Sequence, residues 1–516
     1  MPAKDMAAAA ARTTVRAAGW VWMRVRGQVV VLVGGPARAK VIVLFGAVLA
    51  LNGADTATIG AAAPQLEHAL HIGNTKVGLL SSVALLVGAV FVVPVGMLVD
   101  RFKRMPMLSI SIVLWSIASL LSGLAGSYGT LLLTRLALGA VTATAGPAIA
   151  SLTGDYFPAA ERGKVYAYIL GGEIAGTAAG FILTGTVASV ISWRAAFILL
   201  ALPGFFIART LWRTVPEPLR GGQSRLQPGA AGFEPVAAPA RAADVGADPG
   251  ADGGLAHEAV RKRGVEPDPD LVLAEDPRQM SLPRAIRYIL SIPTNVLMII
   301  GSSLGYFFFA GLQVFAVVFV RGHYHVNQAT AELALVLLVA GAMIGTLVSG
   351  RLTDVLLARG FLEARVWVPA LCYLAAAVVL VPGILGSHLT PAIWFDVAGA
   401  ALLSAANPPL DAARLDIMPA GLWGRAESTR TFLRSLAQAL APLLFGGVAD
   451  LVAGFAPQQA PVGTHPGDIL PATATGLKVS FLVWLVALAA AGVFLARARR
   501  TYPRDVATAA ASHQGT

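Results

Sequence analysis

Twelve long apolar stretches determine what this chain can fold into. The length of each stretch is close to that of a helix that crosses a bilayer, which is about 20 residues. Charged residues make up only 13% of the chain and hydrophobic residues 56%, whereas soluble domains carry roughly 25% charged residues. We therefore predict an all-α membrane protein. Its twelve transmembrane helices, named spans 1 to 12 in chain order, are predicted near residues 41–64, 77–98, 107–126, 129–151, 165–190, 195–214, 293–320, 329–350, 366–386, 391–412, 430–453 and 477–497.

Two loop sequences occur twice, once in each set of six spans. Gly96 and Asp100 close span 2, and Gly350 and Asp354 close span 8 at an offset of 254 residues. The second loop follows the fourth span of each set, where Asp155-Tyr-Phe-Pro-Ala matches Asp416-Ile-Met-Pro-Ala at an offset of 261 residues. Repeats in the same order predict two parallel six-helix halves. Transporters built from such repeats place their substrate site between the halves.

The composition also predicts the domain boundaries. Residues between the two halves are rich in Gly, Pro, Ala, Arg and Asp without a sustained apolar run, which is typical of disorder. The predicted units are a basic N-terminal tail (1–40), a first bundle (41–215), a disordered linker (216–284), a second bundle (285–500) and a C-terminal tail (501–516).

The basic residues predict the orientation in the membrane. With an even number of spans, both termini lie on one side. If that side is cytoplasmic, the outer loops contain few cations, namely Lys76, Arg194, Arg321 and Lys478. Since cytoplasmic loops carry an excess of Lys and Arg, we expect both termini and the linker to be cytoplasmic and the protein to lie in a cell membrane.

The loop after span 2 carries a family resemblance. Its pattern Gly96-x-Leu-x-Asp100-Arg101-x-x-Arg104 resembles motif A of the major facilitator superfamily. The resemblance covers the chain from about residue 40 to 500 and implies that motif A stabilises the state closed to the cytoplasm. An alternative interpretation is that the basic residues of the loop only enforce topology.

The first half also resembles the Spinster-like transporters within that superfamily. Two positions depart from the family pattern: Thr56 stands where an Arg usually follows the acidic residue of span 1, and Thr142 stands where span 4 usually has a Glu. The matching pieces are Asp55, Trp115-Ser116, Arg135-x-x-x-Gly139, Pro147, Asp155-Tyr-Phe-Pro158, Arg162, Trp193-Arg194-x-x-Phe197 and Glu217-Pro218-x-Arg220-Gly221.

Helix dipoles suggest how the repeated loops act. A carboxylate at a helix N-terminus is stabilised, typically by ~0.3–1 kcal/mol. We expect Asp100 to meet the start of span 11 near Ser428, and Asp354 to meet the start of span 5 near Gly163. The two loops would then hold the halves together on the cytoplasmic side.

Charged residues inside the first six spans are candidate functional groups, because ionisable side chains in a bilayer are costly. Asp55 in span 1 has Asn52 on the same polar face, and Arg135 in span 4 lies at a similar depth. We expect an ion pair facing the central cavity. Either protonation of Asp55 releases Arg135 and changes the conformation, or the pair is a fixed structural element.

Glu173 in span 5 is surrounded by glycine and alanine, which allow close helix packing. Three roles stay open for it: a proton site that replaces the missing span 4 acid, a contact to a cationic substrate, or a neutral hydrogen-bonding group.

In the second half, Arg430 and Arg434 open span 11 one turn apart. Arg430 is expected to answer Asp411 or Asp416 at the cytoplasmic rim, and Arg434 is a candidate for an anionic substrate headgroup. Gln313 and Tyr306 of span 7 are further candidates for the cavity. The inner-gate candidates are Asp155, Arg162, Asp416 and Arg430.

The sequence lacks the Gly-x-x-x-x-Gly-Lys-Ser/Thr loop that binds ATP phosphates, and its soluble segments contain no nucleophile with a base partner. His323 and His325 are read as ordinary loop residues, and one cysteine, Cys372, makes no metal cluster. We expect no enzyme activity, no cofactor, no metal and no nucleic-acid partner.

The expected function is secondary transport by alternating access, in a monomer surrounded by membrane lipids, with proton coupling as one expected mechanism. The Spinster-like resemblance implies an amphipathic lipid substrate such as a lysophospholipid. The alternatives are a multidrug or small-metabolite exporter of the same fold and, in another class, a receptor or scaffold without transport.

Overall fold

The computed structural model describes residues 30, 33–157, 159–218, 226, 229–230, 232, 255–273, 277, 280–419, 422–455 and 471–514. In this part of the chain the secondary structure is helical, without strands. Twelve of the helical segments are long and apolar enough to cross a bilayer, which confirms the predicted fold class. The predicted N-terminal tail lies mostly outside the described residues, and span 1 begins within it, at Pro36.

Both halves contain six spans, each close to its predicted place. Spans 1 to 6 are Pro36–Ala61, Asn74–Arg101, Arg104–Gly123, Tyr128–Tyr156, Ala159–Val190 and Trp193–Thr214. Spans 7 to 12 are Pro293–Tyr324, Gln328–Ala358, Ala364–Leu385, Leu389–Asp416, Trp423–Phe455 and Pro471–Ala498. The side on which span 1 begins and span 12 ends is here named the termini side, and the opposite side the far side.

Spans 4 and 10 are both interrupted, at equivalent places. Span 4 consists of Tyr128–Thr142 and Ala145–Tyr156, and span 10 of Leu389–Ala405 and Asn407–Asp416. Pro147 and Pro408 lie just after the two breaks, at the same 261-residue offset as the repeated loops. Proline has no N–H to donate and its ring collides with the carbonyl four residues earlier, so it disrupts the helix at both positions.

Glycines let spans 1 and 5 pack backbone against backbone. A Cβ added at Gly176 would lie 2.1 Å from the Ala50 carbonyl oxygen, and one at Gly172 would lie 2.5 Å from the Gly46 oxygen. Gly171, one residue earlier, has no heavy atom within 4 Å of its Cβ position. The close helix packing predicted for the glycines around Glu173 is therefore present on one face of span 5, the face that contacts span 1.

Part of the predicted disordered linker is folded, which corrects that expectation for residues 255–273. Helix Leu255–Arg263 packs against the C-terminal helix Tyr502–Gln514. Ala256 and Val260 of the linker helix are 1% and 2% exposed. Two apolar residues four positions apart suffice to bury one side of a short helix, but they make no sustained apolar run in the sequence.

The C-terminal segment is likewise an integral part of the second half. The Thr508 and Ser512 hydroxyls accept hydrogen bonds from the backbone N–H groups of Asp268 (2.8 Å) and Leu273 (3.0 Å). The Asp505 carboxylate accepts a hydrogen bond from the Thr294 backbone N–H at 2.9 Å, close to the start of span 7. The described part of the predicted tail, residues 501–514, therefore holds linker residues Asp268 to Leu273 against the termini side of the second half.

Two hydrophobic cores show how the halves meet. One core lies toward the termini side of the first half and contains residues of that half and the adjoining linker, such as Phe45, Ile112 and Leu152. The other joins the far-side end of the first half, including Ala61 and Leu80, to the second half. The structure is thus closed on the far side, and the halves separate toward the termini side.

Candidate substrate site and gates

The predicted ion pair between Asp55 and Arg135 is present in the first half. Arg135 Nη1 lies 3.2 Å from Asp55 Oδ2, and both residues are buried, at 1% and 6% exposure. The same guanidinium donates to Ser122 Oγ at 2.8 Å and lies 4.9 Å from the centre of the Phe197 ring. Because these contacts come from spans 3 and 6, Arg135 is directed into the first half rather than toward the second.

A second polar group lies across the space between the halves. It is formed by Asn52, Glu173, Tyr306 and Arg434, all half-buried. The Asn52 side chain approaches the Glu173 carboxyl, and the charge of Arg434 acts on the same carboxyl from the other half. The Arg434 guanidinium lies 4.3 Å from the centre of the Tyr306 ring.

Arg434 makes no ion pair with any described residue, and its Nε is buried without a hydrogen-bond partner among them. A cation held on an aromatic face, with a donor unused, is suited to an anion. Gln313, the other candidate on span 7, lies seven residues beyond Tyr306, about 10 Å nearer the far side at ~1.5 Å per residue. Its backbone there contacts Gly60.

On the termini side of the first half, Arg104 is almost fully buried and forms two ion pairs. It pairs with Asp155, and its Nε lies 3.0 Å from Glu217 Oε1. Glu217 also accepts the backbone N–H groups of Arg104 and Met105, at 3.1 and 2.7 Å, so it caps the start of span 3. These contacts join the first half to the first residues of the linker and do not reach the second half.

The second half repeats this arrangement with a residue that the sequence reasoning missed. Arg365 pairs with Asp416, which also accepts a hydrogen bond from the Tyr502 hydroxyl. Burial, followed by the nearby Asp416 charge, raises the pKa of Tyr502 well above its usual value. Arg365 stands 261 residues after Arg104. The offset of the second repeated loop could therefore have identified Arg365 as the partner of Asp416. Asp155 and Asp416 thus lie in ion-pair clusters within each half.

The expected rim contact of Arg430 is made with Asp411 rather than with Asp416. Arg430 Nη1 lies 2.8 Å from Asp411 Oδ1, and its Nη2 lies 3.2 Å from Glu427 Oε1. Arg414 pairs with the same two carboxylates. All four residues belong to spans 10 and 11, so this cluster stabilises the second half itself.

The expected contact of Asp354 with the start of span 5 is not seen in this conformation. Asp354 and Arg101 are exposed, and Asp354 makes no hydrogen bond or ion pair with a described residue. Gly350 packs against Pro408 of its own half. Of Gly96, Asp100 and Arg162 the structure describes only the helical backbone, so the expectations for these residues fall outside what it describes. Asp354 cannot reach span 5 while the halves are separated on the termini side.

Contacts between the halves lie instead on the far side, and sequence reasoning missed them. Asp450, near the end of span 11, accepts four hydrogen bonds from the first turn of span 2. The Asn74 N–H and Nδ2 donate to Oδ1 at 3.0 and 2.9 Å, and the Thr75 N–H and Oγ1 donate to Oδ2 at 2.8 and 2.6 Å. The sequence contains no pattern that indicates this partner, which is 375 residues away from Thr75.

A second far-side contact joins spans 5 and 8. Glu332 is 2% exposed and accepts hydrogen bonds from Gln328 Nε2 at 2.7 Å and from Thr186 Oγ1 at 3.1 Å. Gln328 also donates to the Ala61 carbonyl oxygen at 3.0 Å. Thr186 and Ala61 belong to the first half and Glu332 and Gln328 to the second, so this contact also closes the far side.

Comparison with known proteins agrees with this architecture. A family model described as Major Facilitator Superfamily matches residues 45–442. An uncharacterized transporter, YybO, of Bacillus subtilis is 25% identical over 186 residues, which cover 36% of this chain and 43% of that protein. A probable L-galactonate transporter of Escherichia coli is 26% identical over 170 residues, which cover 33% and 37%. The matched segments span less than half of either relative.

Solved structures are similar over almost the whole chain. A bacterial homologue of the human lysosomal transporter Spinster, in an inward-facing and unoccupied conformation, aligns with a TM-score of 0.69 at 22% identity, covering 91% of this chain and 98% of that one. A D-xylose–proton symporter aligns with a TM-score of 0.60 at 16% identity, covering 88% and 96%. The fold is shared with both, and the resemblance to the Spinster homologue is one of fold.

Proposed function

Because this chain belongs to the Major Facilitator Superfamily, we propose that it carries an amphipathic anion across the membrane by alternating access. The leading substrate class is a lipid with an anionic headgroup, such as a lysophospholipid. The observation that carries this proposal is Arg434, a cation that lies on the Tyr306 ring between the halves without an ion-pair partner among the described residues. The guanidinium binds the anionic group of the substrate, and the aromatic face supports its apolar part.

Glu173 supplies the proton-coupling step in this proposal. Its carboxylate belongs to the first half and acts on Arg434 of the second half through charge. When Glu173 is ionised, it neutralises part of the Arg434 charge and competes with a bound anion. When it is protonated, Arg434 is available to the substrate. Proton and anion therefore bind together, and the Asp55–Arg135 pair, directed into the first half, acts as a structural element.

The orientation follows from the basic residues. With the termini side facing the cytoplasm, as the excess of Lys and Arg favours, the described conformation is open toward the cytoplasm. The Spinster homologue with a similar fold was solved in an inward-facing conformation, which supports this assignment.

A small organic anion is the second candidate substrate. Relatives named as probable transporters of L-galactonate and of galactarate/D-glucarate share 26% and 27% identity with about one third of this chain, and a hexuronate transporter shares 27%. Sugar acids also place a carboxylate on an arginine, but they lack the apolar part that Tyr306 would contact.

The test measures flux in proteoliposomes. Labelled lysophospholipid and labelled galactonate are compared with and without a pH gradient, in wild type, Arg434→Gln, Glu173→Gln and Asp55→Asn. Arg434→Gln is expected to lower substrate flux about tenfold to a hundredfold, because a charged hydrogen bond is lost. Glu173→Gln should retain flux but lose its response to the gradient. Arg213→Gln, which removes an exposed charge at the end of span 6, is the control.

Lipid flux that depends on Arg434 supports the leading substrate class, and galactonate flux with the same dependence supports the second. Unchanged flux of both compounds in Arg434→Gln contradicts the proposed site. Loss of the gradient response in Asp55→Asn, with Glu173→Gln unaffected, would assign proton coupling to span 1 instead.

A further inference from the structure

Among the residues that the structure describes, no side chain of the first half caps the first turn of span 2. Its N-cap residue is Gly73, and no side chain there accepts a hydrogen bond from the turn. The free N–H groups at a helix start carry partial positive charge and are stabilised by a carboxylate. Asp450 provides that carboxylate from the other half, through four hydrogen bonds to Asn74 and Thr75.

Close approach at this place depends on a residue without a side chain. A Cβ added at Gly73 would lie 2.8 Å from Asp450 Oδ2. One turn earlier along span 11, a Cβ at Gly446 would lie 2.4 Å from the Asn74 carbonyl oxygen. Spans 2 and 11 therefore touch through their backbones, and the cap and the closure of the far side are formed together or not at all.

Glu67 places a second carboxyl beside this cap. It lies on the short helix Ala63–Leu70, between spans 1 and 2, and is half-buried. Its Oε1 is fully buried and has no hydrogen-bond partner among the described residues. Burial, and then the charge of Asp450, raises the pKa of Glu67 to about 8.

We propose that Asp450 is the far-side gate of the transport cycle, which it closes by capping span 2 from the other half, and that a proton on Glu67 favours closure. This inference rests on the alternating-access part of the proposed function and is independent of the substrate. It makes spans 2 and 11 a reciprocal pair: Asp450 caps span 2 on the far side, and Asp100 is the residue expected to cap span 11 on the termini side when the halves rock.

The direction of the pH effect follows from the two states of Glu67. In the closed state it is neutral up to about pH 8, whereas in an open, hydrated state its pKa returns to the usual 4.5. Closure is therefore fully favoured below the lower value and weakens as the pH rises toward about 8. Other charged or titratable groups on the surrounding elements are Lys76 on span 2, Arg321 and His323 on span 7, and the exposed His68 and His71 beside Glu67.

The gate is tested by the accessibility of one cysteine. Ala61 is fully buried at the far-side interface, so Ala61→Cys in a Cys372→Ser background reacts with a hydrophilic maleimide only when the far side opens. The protein is purified and placed in nanodiscs without substrate. In Asp450→Asn an NH2 group replaces one of the two acceptor oxygens, so the labelling rate is expected to increase about twofold to thirtyfold, the range for loss of a helix cap.

Three smaller substitutions at the same contact test the gate even if Asp450→Asn misfolds. Gly73→Ala should increase labelling through the close contact with Asp450, and Thr75→Val should do so partly, while Thr75→Ser retains the hydroxyl and should resemble wild type. Asp396→Asn is the matched control, because Asp396 contacts Gly383 within the second half. Gly446→Trp, which wedges the halves apart, is the positive control.

The pH arm uses the ratio of the Ala61→Cys rate to that of the same cysteine with Gly446→Trp, which cancels the pH dependence of the thiol. The ratio should rise with pH by up to about tenfold per unit and level off above about pH 8, and Glu67→Gln should make it flat. The gate is overturned if Asp450→Asn is labelled at the same rate as Asp396→Asn while Gly446→Trp is labelled rapidly. If Gly446→Trp also stays unlabelled, the far side does not open. That result contradicts alternating access and, with it, the proposed gate.

Discussion

Arg104 and Arg365 stand 261 residues apart and make the same ion pair in their respective halves, Arg104 with Asp155 and Arg365 with Asp416. Each arginine lies at the start of the third span of its half, and each aspartate at the end of the fourth. The pair therefore ties two successive helices together on the termini side. The duplicated loops of the sequence are in this respect stabilising elements of each half, whatever they do between the halves.

Arg365→Gln should therefore destabilise the protein strongly. It leaves Asp416 buried without its cation, and breaking a buried pair typically costs roughly 3–5 kcal/mol. The measurement is the thermal unfolding temperature of the purified protein. Arg359→Gln, an exposed arginine on the same side, is the control and should change little. Equal midpoints for both variants would argue against this role.

The Asp55–Arg135 pair allows a similar test of its structural role. Asp55→Ala leaves Arg135, which is 1% exposed, without an ionic partner, and a loss of stability of roughly 3–5 kcal/mol is expected. The double variant Asp55→Ala with Arg135→Leu should recover part of the loss, because no buried charge remains. If the single variant unfolds like wild type and only transport changes, the pair is functional rather than structural.

Span 5 offers two adjacent glycines with opposite environments. Gly172→Ala places a Cβ 2.5 Å from the Gly46 carbonyl oxygen, whereas Gly171→Ala meets no heavy atom within 4 Å. The first change should cost about 1–3 kcal/mol through overpacking, and the second should be neutral or slightly stabilising, as is usual for Gly→Ala in a helix. Unfolding midpoints of the two variants decide the matter, and the reverse order would contradict the packing of spans 1 and 5.

Asp505 should contribute a measurable pH dependence. Burial raises its pKa above the ordinary 3.8, although the Thr294 hydrogen bonds act in the opposite direction. The folded state then holds this proton more tightly than the unfolded state, so stability is highest below the ordinary value and falls as the pH rises through the raised pKa. The measurement is the thermal unfolding temperature as a function of pH. Asp505→Asn should flatten this dependence on pH, and Asp270→Asn, at an exposed site in the linker, should leave it unchanged.

The docked linker should resist proteolysis. Arg261, Lys262 and Arg263 are exposed trypsin sites on a helix whose other face is buried through Val260. Val260→Asp should release the helix and increase cleavage there at least about tenfold, since burying a charge without a partner costs more than docking gains. Glu258→Gln, on the exposed face, is the control. Rapid cleavage of wild type at these sites would contradict docking.

The sequence alone determined the membrane class, the spans and the two-half organisation. These features depend on the length of apolar runs and on repetition, which local hydrophobicity and spacing express directly. The Asp55–Arg135 pair was also predictable, because two opposite charges at similar depth in a bilayer have few other partners. The contact between Arg430 and Asp411 was predictable for another reason, because the two residues lie on either side of the short loop between spans 10 and 11.

Only the tertiary structure decided which groups meet between the halves. Asp450 and Thr75 are 375 residues apart, and their contact depends on how the two six-helix bundles pack against each other, which no local pattern records. The conformation also decides that Asp354 is exposed while Asp450 is engaged. Likewise, the linker helix is too short to be stable alone, so its order comes from tertiary contacts that bury Ala256 and Val260, among them the packing against the C-terminal helix.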